Sequence, residues 1–72
     1  SIPAIEKGLE LLKPGGLMSL CVYYGGDSGF EEKDALMQFF KTIDSKRFTV
    51  LITEFANRPN NPPIPVFILK QI

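Results

Sequence analysis

Eight Lys and Arg balance eight Asp and Glu over 72 residues, so the chain carries no net charge and none of the basic footprint usual in a nucleic-acid-binding domain. At 44% hydrophobic it can build one small domain, burying roughly 60% of its unfolded surface. The single cysteine excludes a disulfide framework, no apolar run is long enough to span a bilayer, and no signal peptide is visible, so a cytoplasmic protein is expected. A zero balance still leaves room for RNA, if a basic surface lies on chain beyond these residues.

The chain opens on Ser1-Ile2-Pro3, without Met and with a helical pattern under way, and reads as part of a longer protein. Residues 1–12 are expected to be helical. Ser1 can cap the helix, Pro3 is tolerated in the first turn, and Ile2, Ile5, Leu9 and Leu12 recur on one face. Gly8 is a weak point in mid-helix, or a mark of close approach to a sheet. Lys13-Pro14-Gly15-Gly16 ends the helix.

Leu17 to Tyr24 is a short apolar run between two breakers. It predicts a strand covered on both faces, central to the fold, with Cys21 as a packed, reduced thiol. A glycine-rich loop, residues 25–29, follows. Ser28 and Glu31 have the spacing of a capping box for a second helix, whose apolar stripe is Ala35, Leu36, Phe39, Phe40 and Ile43. Phe48 to Phe55 reads as a strand with apolar residues on both faces. After a proline-rich polar loop, Pro65 to Ile72 reads as a last strand with proline at its first position.

The order is therefore helix, strand, helix, strand, strand, an α/β arrangement in one domain. The helical connection makes the first two strands parallel, and the last strand, reached by a loop alone, runs antiparallel. This geometry brings the loops at 25–29 and 57–63 to the carboxyl edge of the sheet, where open α/β sheets hold their ligands.

The candidate site residues come from those two loops. Tyr23 and Tyr24 can stack on a base or shape a pocket, against a reading as core residues. Gly25, Gly26 and Gly29 allow close backbone approach or simply make a turn; the spacing is not that of a phosphate-binding loop. Asp27 can hold an amine or a hydroxyl, or stay solvated. Asn57, Asn60 and Asn61 offer paired donors and acceptors, and the prolines around them, Pro62 included, reduce the entropy lost on ordering. Arg58 can meet a phosphate. The sequence shows no metal cluster and no nucleophile–base pair, and no catalytic residue is assigned.

An antiparallel last strand in such a sheet resembles the class I S-adenosylmethionine-dependent methyltransferases. Leu11-Leu12-Lys13-Pro14-Gly15-Gly16 looks like the helix–turn that leads into their fifth strand. The stretch Tyr23 to Lys33, with Asn57 and Asn61-Pro62-Pro63 further on, resembles the "putative rRNA methylase" family, which includes the tRNA wobble-uridine (5-aminomethyl-2-thiouridine) methyltransferases. The resemblance spans essentially the whole chain. It departs from the family pattern where relatives carry histidines in the segment matching Tyr23 to Gly26, because this chain has no His, and no role of those histidines carries over. Asn61-Pro62-Pro63 also looks like the Asn-Pro-Pro-aromatic motif of amino-methylating enzymes, but it precedes the last strand and Ile64 replaces the aromatic, so that match is set aside.

The resemblance implies that residues 1–72 are the C-terminal half of a Rossmann-like methyltransferase domain. It implies S-adenosylmethionine as cofactor, bound mainly by an N-terminal half not in this chain, whose glycine-rich loop and acidic residue have no counterpart here. It implies an RNA substrate, tRNA or rRNA, and a segment inactive by itself, with a homodimer left open. Two other readings stand beside it: a methyltransferase for a small molecule or a protein, and an α/β binding module without chemistry.

Overall fold

A computed structural model describes residues 2–23, 29–60 and 62–72, with backbone alone for Gly29 and Phe30. Two helices and three strands follow one another as α1 (Ile2–Leu11), β1 (Leu17–Val22), α2 (Gly29–Thr42), β2 (Phe48–Ile52) and β3 (Ile64–Lys70). The expected order holds. The caps assigned to Ser1 and Ser28 lie outside the described residues.

Helix α1 ends as its sequence requires. The Leu12 N–H reaches back to the Leu9 carbonyl at 3.3 Å, and the Gly16 N–H to the Lys13 carbonyl at 2.7 Å. Gly15 has φ of +82°, so Lys13 to Gly16 form a turn with Pro at its second position and a left-handed Gly at its third, the type II pattern. The turn is tied to the far end of the chain. The Gly15 N–H donates to the Lys70 carbonyl at 2.7 Å, and the Lys70 N–H donates to the Gly16 carbonyl at 3.0 Å.

The sheet order is β1-β3-β2, with β3 antiparallel to both neighbours. Strands β1 and β2 are therefore parallel to each other, as expected, but they do not touch. The last strand lies between them, so β3 takes the central place that the sequence reading gave to Leu17–Tyr24. The ladder pairs Leu17 with Leu69 and Val22 with Ile64 on one side, and Phe48 with Lys70 and Ile52 with Val66 on the other. All three strands differ in extent from the expectation. β1 stops at Val22, β2 at Ile52, and β3 starts one residue earlier, at Ile64.

Pro65 thus sits inside the central strand rather than at its first position. Its place explains why it is tolerated. The Pro65 carbonyl accepts the Thr53 N–H at 3.0 Å, so the side of Pro65 that lacks a donor faces the chain just beyond the end of β2. The Thr53 hydroxyl donates to the same carbonyl at 2.9 Å and fills its second lone pair.

Both helices contribute to one core on one face of the sheet. Leu9, Val22, Phe40, Phe48, Val66 and Ile68 are buried, and Ile5, Leu12, Met18, Leu20, Leu36 and Met37 pack around them. Met37 takes the place expected for Ala35, which is exposed. The opposite face is open. Along β1 the exposure alternates, with Leu17, Ser19 and Cys21 outward and Met18, Leu20 and Val22 covered. Leu51 and Leu69 share the open face. Two expectations fail here: the first strand is covered on one face rather than both, and Cys21 is an exposed free thiol rather than a packed one. Both rows of that run are largely apolar, so its composition carries no sign of which row is buried; only Ser19 marks the open one.

Candidate functional site

The ladder fixes where the loops emerge. Val22 pairs with Ile64 and Ile52 with Val66, so the ends of β1 and β2 flank the start of β3. Tyr23 leaves β1 at this edge, and residues 53–63 connect β2 to β3 across it. The ends of β1 and β2 reach the same edge, as their parallel directions require, while residues 24–28 of the expected first loop lie outside the described residues.

Tyr23 is 74% exposed, too open to be a core residue. Asn57 is exposed, and Pro62 is half-buried. Tyr24, Gly25, Gly26, Asp27 and Asn61 lie outside the described residues. Asn60 adopts φ of +63°, a left-handed backbone that Asn tolerates better than most residues. Its place in the loop is thereby a turn-making one.

A cleft of about 320 Å³ opens at this edge, under the first half of α2. Ile52, Ile64 and Met37 are apolar parts of its lining, and Phe55 and Pro62 stand beside them. Its polar groups are Lys33, Thr53, Glu54 and Arg58. The sequence reading named Arg58 and Pro62 but missed Lys33, Glu54 and Phe55. Phe55 falls within the strand expected over residues 48–55, and the strand's early end at Ile52 is what moves it to the cleft. Lys33 stood among acidic residues of a helix start, and only the packing of α2 over the sheet edge brings it to the loop.

A second cavity, about 300 Å³, lies at the other end of α2 and includes Glu6, Glu10, Thr42, Arg47 and Phe48. Arg47 and Lys70 both lie over the Phe48 ring, at 5.4 and 5.9 Å from its centroid. This pair serves the fold: the Lys70 ammonium also donates to the Leu12 carbonyl at 2.8 Å, satisfying a group at the end of α1.

Among the described residues, no group of three or more His, Cys, Asp or Glu is placed to hold a metal ion. No described helix is long and apolar enough to cross a membrane.

Comparison with known proteins gives a consistent result. Residues 1–69 match the family described as "Putative rRNA methylase". The chain is 32% identical over 71 residues to a tRNA (mnm(5)s(2)U34)-methyltransferase, chloroplastic, from Arabidopsis thaliana, covering 99% of this chain and 26% of that protein. Among solved structures, a "putative rRNA-methylase" from Clostridium thermocellum is 49% identical with a TM-score of 0.89, over 96% of this chain and 37% of that one. A "putative methyltransferase" from Streptococcus mutans in complex with SAH is 42% identical with a TM-score of 0.84, over 96% of this chain and 38% of that one. The chain thus spans about a quarter of the curated relative and less than two-fifths of each solved one. With nearly its full length matched, this chain belongs to the "putative rRNA methylase" family.

Proposed function

We propose that the protein carrying this segment is an S-adenosylmethionine-dependent methyltransferase acting on RNA, a tRNA wobble uridine or rRNA, with the cytoplasm as its compartment. Residues 1–72 are its C-terminal, Rossmann-like half and supply loops on the substrate side. The cofactor is held mainly by the N-terminal half. The observation that carries this reading is the convergence of the β1 and β2 ends, with Tyr23 and the 53–63 loop, at one edge of a sheet shared with methyltransferase relatives. The SAH complex of the Streptococcus mutans relative supports the cofactor, and the names of the family and of the Arabidopsis relative support RNA.

Methyl transfer to an amine needs chiefly positioning and a deprotonated nucleophile, so loops without a strong acid–base pair suit it. Tyr23 supplies an exposed aromatic face, Asn57 an amide, and Pro62 a stiff wall. Tyr24, Gly25, Gly26, Asp27 and Asn61 belong to the same proposal by their place in the chain.

The zero net charge favours a second reading, a small-molecule or protein acceptor. One assay separates the two: methyl transfer by the full-length protein from labelled S-adenosylmethionine to total tRNA and, in parallel, rRNA from cells lacking the enzyme. Label in tRNA is the expected result, and makes Tyr23, Tyr24 and Asn61 the first positions for alanine. Label in rRNA alone changes the RNA. Cofactor binding without label in either RNA overturns the RNA reading.

A further inference from the structure

Phe55 is 45% exposed, although a side chain of its size usually finds cover. It stands on the carboxyl-edge cleft with Arg58, three residues on. Arg58 is exposed and has no hydrogen-bond or ion-pair partner among the described residues. Lys33 lines the same cleft from α2, and Glu54 lines it from the loop.

The loop that carries Phe55 and Arg58 is held at both ends. At its start, Thr53 gives two hydrogen bonds to the Pro65 carbonyl. At its finish, Pro62 and Pro63 are half-buried against the cleft, after the left-handed Asn60. An aromatic face and a guanidinium on one loop are what a nucleotide needs: the ring stacks on the base without regard to sequence, and the cation meets the phosphate.

The cleft is also set apart from Tyr23. It lies at the end of β2, and β3 separates β2 from β1, so the strands that lead to the two positions run about 10 Å apart, two strand spacings. We infer that this cleft is a second RNA subsite, in which Phe55 stacks on the base of a nucleotide flanking the modified one and Arg58 holds its phosphate. The inference rests on the RNA reading proposed above.

The test uses the full-length protein and a synthetic anticodon stem-loop with 5-aminomethyl-2-thiouridine at the wobble position. Two further stem-loops carry an abasic residue just before or just after that position. Phe55→Ala should raise KM for the intact stem-loop about tenfold and leave S-adenosylmethionine affinity unchanged. With one of the abasic stem-loops the wild type should lose affinity by a similar factor, and Phe55→Ala should add no further loss. Phe55→Tyr should retain wild-type behaviour. Arg58→Ala should reduce the slope of log KM against log salt by about 0.7, the value for one phosphate on a single strand. An unchanged KM in Phe55→Ala, or an equal loss on all three stem-loops, overturns the subsite while leaving the RNA reading intact. A wild-type protein that methylates neither the stem-loop, nor tRNA, nor rRNA overturns both, and one that methylates rRNA alone overturns the subsite.

Discussion

Glycine choices at three positions have different physical causes, and they predict different outcomes. Gly15 has φ of +82° with open space around it, so only its backbone matters. Gly15→Ala should cost about 1 kcal/mol, read from urea unfolding of the full-length protein. At Gly16 an added Cβ would stand 2.8 Å from the Lys13 carbonyl, so Gly16→Ala should cost at least as much. Gly8 is the opposite case. A Cβ there would meet the Met18 methyl at 2.5 Å, but that methyl ends a flexible side chain, and alanine gains about 1 kcal/mol of helix propensity over glycine. Gly8→Ala should therefore stabilise, by less than that full gain; a clear loss would mean that Met18 cannot move. The sequence showed Gly8 as a weak point or a close approach, and the approach is real. It could not show Cys21 as exposed, because the residues alternating with it are as apolar as its own row.

Each element draws its limits from another, and β3 is the hinge of that dependence in the literal sense of what bonds to what. Its final residue, Lys70, uses its backbone on the turn after α1 and its ammonium on the α1 carboxyl end. Lys70→Met keeps the aliphatic stem and removes the charged donor. It should destabilise the full-length protein by about 1 kcal/mol and speed amide exchange in the last turn of α1, with α2 unaffected. No change at α1 would show that water replaces the ammonium there. Both helices were legible from their 3.6-residue patterns, and the three strands from their breakers. Strand order was not, since nothing local in Ile64 to Lys70 says that it inserts between the other two. The full burial of Val66 and Ile68 is the three-dimensional sign of that position.

At the scale of the whole molecule, one sheet face carries exposed Leu17, Cys21, Leu51 and Leu69, and the outer edge of β1 has no strand partner among the described residues. An unpaired edge six residues long beside an apolar face invites pairing with another chain. Residues 1–72 by themselves should therefore self-associate in sedimentation velocity, and a sharp unfolding transition of a monomer would contradict this. They should also bind S-adenosylmethionine weakly or not at all by calorimetry. Micromolar affinity would refute the assignment of the cofactor to the other half. The carboxyl-edge site was half legible: the shared edge of the β1 and β2 ends followed from strand directions, whereas Phe55 and Lys33 reached the cleft only through the early end of β2 and the packing of α2.

The central placement of β3 also sets an order of events in time. A ribosome makes β1 and β2 first, and these two cannot pair, since the space between them belongs to a strand not yet synthesised. Leu17 must wait for Leu69, and Phe48 for Lys70. Contacts so distant in sequence form slowly and leave apolar strands uncovered meanwhile. A nascent chain that stalls before Val66 would hold both helices and two strands yet lack the residues that join them, so truncation ahead of Val66 should be as damaging as loss of the whole segment.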